Sequence, residues 1–155
     1  MLENVLTDPS SRVTSIDAFF DWPSWDVYSP DLEARFQANV KKAGGEGRVT
    51  TIAGLSQEEL RKLPLDSYDI IYIDGSHMGP DVLEDAVLSF RLLKPGGMII
   101  FDDYPWKADE PTYGWAEDPD MRGPQLAIDT FMKFFGEHFR IIHHGYQIIM
   151  VRNSP

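Results

Sequence analysis

The 155-residue sequence contains no cysteine. Neither a disulfide framework nor a thiolate metal site can therefore form. No apolar stretch approaches the ~20 residues that a membrane-spanning helix needs. Positive charge is scarce: 14 Lys and Arg stand against 25 Asp and Glu, for a formal charge of −11 and a pI near 4.6. That balance argues against a nucleic-acid backbone or an anionic membrane surface as the main partner, and it fits a soluble protein that handles a small molecule. The opening Met1–Leu6 lacks the basic and small-residue flanks of a signal peptide, so a cytoplasmic location is the expectation. Two nucleotide motifs are missing as well. Without G-x-x-x-x-G-K-[ST] there is no basis for a P-loop hydrolase, and without G-x-G-x-x-G none for a nicotinamide dehydrogenase. No internal repeat and no low-complexity segment is present.

The sequence does hold enough apolar and aromatic residues, 43% and 12%, for the core of one domain over residues 1–155. Two stretches organise it: Tyr68–His77 (YDIIYIDGSH) and Leu93–Asp103 (LKPGGMIIFDD). Each is a short apolar run ending in carboxylates, and such runs read as strands buried on both faces of a parallel sheet. Ligands of open α/β sheets sit beyond the carboxyl ends of the strands, which predicts that Asp74, Asp102 and Asp103 converge at one mouth.

The remaining elements follow in order. Leu2–Leu6 reads as the tail of a helix and Val13–Asp17 as a strand ending in an acid. Residues 19–29 form an aromatic-rich loop containing Trp22, Trp25 and Tyr28. Ser29-Pro30-Asp31 opens a helix with Leu32, Phe36 and Val40 on one face. Val49–Ala53 is the next strand, and Ser56 to Glu59 has the spacing of a capping box. A helix from Asp81 to Leu93 carries Val82, Ala86, Phe90 and Leu93 on one stripe. After a long loop holding Trp106, Tyr113 and Trp115, Gly123-Pro124 opens a helix through Phe135. Residues 139–143 and 146–152 form an antiparallel hairpin at a sheet edge. The alternation predicts a Rossmann-like α/β fold, a doubly wound and mostly parallel sheet with a C-terminal antiparallel hairpin.

In that order and spacing, the YDIIYIDGSH strand, the helix with an internal Asp, the LLKPGGMIIFDDY stretch over residues 92–104 and the G-x-x-x-A-x-x-x-F start at Gly123–Phe131 resemble the class I S-adenosylmethionine-dependent methyltransferases. The similarity is to their small-molecule and sugar O-methyltransferase branch. The resemblance implies that Asp17 accepts hydrogen bonds from the cofactor ribose, that Ser56 and Gln57 pack near the adenine, and that Asp74 meets the methionine portion. It also implies a divalent cation such as Mg2+ on Asp74, Asp102 and Asp103, with His77 as base beside the reacting hydroxyl. Hard cations take oxygen ligands, which three carboxylates supply. Catechol-type members carry an amide where this chain has Asp103, which leaves the acceptor's chemical class open.

One family feature is missing. The first family strand and its glycine-rich loop, which should precede the helix ending near Leu6, are absent. The sequence therefore reads as a methyltransferase truncated at its N-terminus, with weakened affinity for S-adenosylmethionine. The strands ending in Asp17 and Asp74 would then pair directly, or another chain would fill the gap, which leaves a homo-oligomer possible. Structural roles stay open for every candidate: a turn acid at Asp17 or Asp74, a helix cap at Ser56 or His77, a solvated pair at Asp102-Asp103. The competing reading from another class is a non-catalytic Rossmann-like remnant that binds a metal or partner without methyl transfer.

Overall fold

The computed structural model describes residues 7–19, 31–108 and 118–154. The expected helix tail at Leu2–Leu6, the aromatic loop around Trp22, Trp25 and Tyr28, the Ser29-Pro30 helix opening, and Tyr113 and Trp115 lie outside the described residues. The chain divides into two compact units, one up to Glu59 and one from Leu60 onward.

In the first unit β1 (Val13–Asp17) and β2 (Val49–Ala53) pair in parallel, with Asp17 opposite Ala53. Both are built from β-branched residues, which fit a pleated surface. The helix α1 (Leu32–Lys42) connects them, as a parallel pair requires. Phe36 and Val40 are half-buried, while Leu32 is exposed and drops out of the expected stripe. The backbone turns into β2 through Gly44 and Gly47, both at positive φ (68° and 73°). Glycine carries that conformation without a Cβ clash.

The second unit contains β3 (Tyr68–Ile73), α3 (Gly79–Leu92), β4 (Leu93–Phe101), α4 (Gln125–Phe135), β5 (Phe139–His144) and β6 (Ile148–Arg152). Its sheet has the order β3-β4-β6-β5, with β3 parallel to β4 and the hairpin antiparallel. The order places β6 against β4 and leaves β5 at the edge. With its parallel βαβ pairs and its antiparallel hairpin, the chain has the expected Rossmann-like α/β fold.

The α3 stripe forms as its spacing requires: Val82, Ala86 and Phe90 are buried, and Leu93 passes directly from helix into β4. They pack with Ile99, Phe101, Ile128, Phe131, Ile148 and Met150 in one core, where Phe131 rings meet Phe90, Phe101, Phe135 and Phe139 at 5.0–6.5 Å. Burial on both faces of β3 is not observed. Ile73 is buried, but Ile70 and Tyr72 are 44% and 39% exposed, so the strand alternates. A continuous apolar run cannot distinguish this from two-sided burial, because Ile and Tyr suit either face. Pro95-Gly96-Gly97 is a bulge inside β4 rather than a turn before it. The register jumps from Tyr68↔Leu93 to Ile70↔Met98, with Gly96 at φ 79°. Among the described residues no helix is long and apolar enough to cross a membrane.

Candidate active site

The parallel register of β3 and β4 ends both strands at the same level. Ile73 pairs with Phe101, and the Asp102 N–H extends the ladder to the Ile73 carbonyl at 3.0 Å. The residues that follow, Asp74 on one strand and Asp102-Asp103 on the other, emerge side by side. Asp103 adopts φ 53°, a left-handed conformation uncommon outside glycine and tolerated best by Asn and Asp. This backbone turn brings Asp103 Oδ2 to 2.9 Å from His77 Nε2. His77 comes from the loop between β3 and α3, where Ser76 Oγ accepts the Met78 N–H at 3.2 Å.

Donor atoms of Asp74, His77 and Asp103 all lie within 4.8 Å of one another. An ion about 2.1–2.4 Å from each donor spaces its ligand atoms by roughly 3.0–4.8 Å. The cluster is therefore of a size that fits a divalent cation, with carboxylate oxygens as the dominant donors.

Asp102 stands apart from that trio in its bonding. Its Oδ1 accepts the Gln147 amide at 3.0 Å and the Asp103 N–H at 2.9 Å, while its Oδ2 accepts the Tyr72 hydroxyl. Three of the roughly four lone-pair positions of the carboxylate are thus engaged, and the one left is on Oδ2. Asp102 is not among the three residues whose donor atoms gather within 4.8 Å of one another.

The electrostatics follow from these contacts. Burial first, and then the neighbouring Asp102 and Asp103 charges, push the Asp74 carboxyl above its ordinary value, with His77 partly opposing them. Burial also acts to raise Asp102, but the hydrogen bonds from Tyr72, the Asp103 N–H and Gln147, helped by His77, outweigh it and hold that carboxyl low. Burial and the Asp102 hydrogen bond raise the Tyr72 phenol, which therefore stays a donor. Tyr146 is raised by its hydrogen bond to Asp103.

Tyr72, Tyr146 and Gln147 were not expected from the sequence. The hairpin turn is longer than the His144-Gly145 of the sequence reading: His144 pairs with Ile148, so Gly145, Tyr146 and Gln147 leave the ladder. The Tyr104 N–H bonds to the Tyr146 carbonyl at 2.9 Å and fastens this turn beside the mouth. Strand alternation puts Tyr72 on the face opposite Ile73 but does not mark which face is open, so the sequence carries no signal for any of the three.

Beyond the carboxylates lies a cavity of about 220 Å3 lined by Trp106, Gln125, Leu126 and Asp129, among others. The Trp106 ring meets His77 edge-on at 4.8 Å. The Trp106 backbone N–H donates to the Asp103 carbonyl at 2.8 Å. The Tyr104 hydroxyl donates to Asp129 at 2.9 Å and accepts from Gln125 at 3.3 Å, two residues that line the cavity. His143 lies in β5, and His144 packs edge-on against Tyr104 at 5.2 Å.

The remaining sequence candidates belong to the first unit. Asp17 ends β1, and its carboxylate accepts the Phe19 N–H at 2.8 Å. The Asp17 carbonyl accepts the Gly54 N–H at 3.0 Å, which draws the segment after β2 to the end of β1. Ser56 and Gln57 follow at once, as the first residues of the short helix α2 (Ser56–Glu59). Ser56 is the first residue of the helix rather than the residue before it. The backbone carbonyl of Leu55 accepts from the Glu58 and Glu59 N–H groups at 3.0 Å.

Parallel βαβ pairs with acids at their strand ends define a class, and the comparison with known proteins gives the family. Residues 1–104 match the family described as "Methyltransferase domain", and the chain belongs to it. A relative from Mycobacteroides abscessus that carries the name of an O-methyltransferase is 34% identical over 105 residues, covering 63% of this chain and 46% of the relative. The chain spans less than half the length of such curated relatives. Two solved structures share the fold. TomG of Streptomyces achromogenes, an O-methyltransferase involved in tomaymycin synthesis and solved with S-adenosylmethionine, superposes with a TM-score of 0.64 at 13% identity, over 95% of this chain and 64% of its own. MycE, a methyltransferase of the mycinamycin biosynthetic pathway solved with Mg and S-adenosylhomocysteine, gives 0.56 at 17% identity, over 94% and 46%.

Proposed function

We propose that this domain works in S-adenosylmethionine-dependent O-methylation of a small hydroxylated acceptor, assisted by a divalent cation. The observation that carries the proposal is the Asp103–His77 pair at 2.9 Å, set among further carboxylates at adjacent strand ends of a methyltransferase-family domain. With its Nε2–H donated to Asp103, neutral His77 has its lone pair on Nδ1, the nitrogen able to take a proton. Asp103 fixes the ring and stabilises the imidazolium, the division of labour seen wherever a carboxylate orients a catalytic histidine.

The acceptor hydroxyl gives its proton to His77 Nδ1 as its oxygen attacks the methyl carbon. S-adenosylmethionine, when bound, would supply the methyl group, its S–CH3 electron pair staying on sulfur as the acceptor oxygen bonds the carbon and the sulfonium becomes a neutral thioether. Asp74 and Asp103 are the proposed cation ligands. A bound Mg2+ would lower the hydroxyl pKa and offset the clustered negative charge. Its presence in the similarly folded MycE supports that choice. Asp17, Ser56 and Gln57 are proposed for the cofactor ribose and adenine, where a carboxylate offers acceptors to vicinal hydroxyls. The Trp106-walled cavity is proposed for the body of the acceptor, and the net charge of −11 supports a small molecule over a nucleic acid.

The test is transfer of a labelled methyl group from S-adenosylmethionine to catechol, with Mg2+ and with EDTA. Mg2+-dependent transfer that falls at least about 100-fold in His77→Gln, the scale of lost general-base catalysis, is expected. Transfer that survives EDTA would overturn the cation role, and transfer indifferent to His77→Gln would overturn the base.

A further inference from the structure

We infer that the Trp106-walled cavity selects acceptors that bear a protonated amine, with Asp129 as the residue that selects them. The inference rests on the methyl-transfer reading above and names the substrate class of the same site. At about 220 Å3 the cavity is smaller than the ~300–1,000 Å3 of drug-sized ligand sites, and suits one ring with a short chain. Trp106 lines it, and the Trp106 ring meets His77 edge-on at 4.8 Å, so one residue joins the cavity to the proposed base.

The polar groups of the lining are largely spent on one another. Lys107 Nζ lies 2.9 Å from Asp120 Oδ1, which matches the positive charge of the lining with a negative one. The Gln125 amide donates to the Tyr104 hydroxyl at 3.3 Å, and that hydroxyl donates to Asp129 Oδ1 at 2.9 Å. Asp129 remains. Its Oδ2 takes no hydrogen bond among the described residues, and no second cation lines the cavity to balance its charge. A carboxylate only accepts, so its partner must be a donor, and its charge favours an ammonium over a hydroxyl. The bond from Tyr104 holds Asp129 by one oxygen and leaves the other to the ligand. An acceptor carrying a carboxylate would meet that charge with nothing to offset it, which selects against it. The net charge of −11 acts in the same direction at longer range.

The experiment follows the Trp106 indole N–H and Gln125 side-chain NH2 resonances of the isotope-labelled full chain while phenethylamine, or the similarly sized anion phenylacetate, is added. A saturable shift with phenethylamine and none with phenylacetate is expected. Equal shifts, or none with either ligand, overturn the inference. Labelled-methyl transfer then compares dopamine with its neutral isostere 4-propylcatechol. The dopamine KM is expected to lie about three- to fivefold lower, the scale of one solvent-exposed ion pair. Asp129→Asn, which keeps an acceptor for Tyr104, is expected to bring the two KM values together, and a dopamine preference that survives it overturns the role of Asp129. If Asp129→Asn does not fold, the wild-type comparison decides, and equal KM values overturn the inference. Transfer to neither catechol, with phenethylamine still bound, overturns the methyl-transfer reading and leaves the amine preference standing.

Discussion

Gly123 stands where two pieces of backbone meet under the candidate site. A Cβ added there would lie 2.2 Å from the Trp106 carbonyl oxygen and 3.3 Å from Lys107 Cα. Carbon–oxygen contacts of this kind are relaxed at roughly 3.3–3.6 Å. Gly123→Ala therefore requires one strand of backbone to retreat by roughly 1 Å. Neither partner is a side chain that can rotate away, so the cost belongs near the upper end of the ~1–3 kcal/mol typical of overpacking. With a urea m-value of about 1–3 kcal/mol per molar, the unfolding midpoint falls by about 1–3 M. The retreating segment carries Trp106, whose ring meets His77 at 4.8 Å and whose backbone N–H binds the Asp103 carbonyl. A 1 Å displacement of a positioning group costs on the order of 100-fold in rate, so methyl transfer falls beyond what the lost stability explains. Gly136→Ala is the matched control. Gly136 caps α4 at φ −59° with open space around its Cβ position, and alanine there is expected to add about 0.4–1 kcal/mol. A Gly123→Ala protein with the wild-type urea midpoint would refute the reasoning.

Asp74 predicts a pH effect. Its carboxyl is raised above the ordinary 3.8, so the folded state holds a proton that the unfolded state has already lost. Stability of the metal-free protein accordingly falls as pH rises from 3.8 through that raised value. Asp74→Asn removes this slope and stabilises the metal-free chain at neutral pH, by less than about 1 kcal/mol because the group is exposed and solvent-screened. Urea titrations across pH read both. Arg152 offers a purely structural test. Its Nη1 donates to Asp66 at 2.6 Å and to the Leu93 carbonyl, and its guanidinium lies 4.8 Å over the Phe90 ring. Arg152→Met keeps the stem and loses the charged donor, for an expected 1.5–3 kcal/mol, order of magnitude. Thermal unfolding at the wild-type temperature would count against it.

The sequence carried the large elements well, for identifiable reasons. The apolar runs of β3 and β4 are bounded by turn residues. The stripe of Val82, Ala86 and Phe90 has a helical period, and each of these residues is buried. The strand-end position of Asp74, Asp102 and Asp103 follows from those runs alone. What could not be read depends on pairing between distant residues. Nothing local distinguishes a buried Tyr72 from the exposed one that binds Asp102, because a tyrosine suits either face of a strand. Tyr146 and Gln147 read as strand residues by composition. Only the pairing of His144 with Ile148 releases them into a turn. The left-handed φ of Asp103, which lets the residue reach His77, has no sequence mark beyond Asp tolerating that conformation.

The order β3-β4-β6-β5 also sets how much chain each contact of the site must close. Tyr72 and Asp102 are 30 residues apart and join two neighbouring parallel strands, whereas Gln147 reaches Asp102 across 45 and Tyr72 across 75. Closing the longer loops costs more chain entropy before any contact repays it. By chain entropy alone, the contact between β3 and β4 that gathers the carboxylates closes at lower cost than the hairpin contacts that hold Asp102, by less than about 1 kcal/mol. The hairpin bonds are thus the later-closing loops of the site, and loosening the β4–β6 pairing would free Asp102 to turn before it separated the carboxylates.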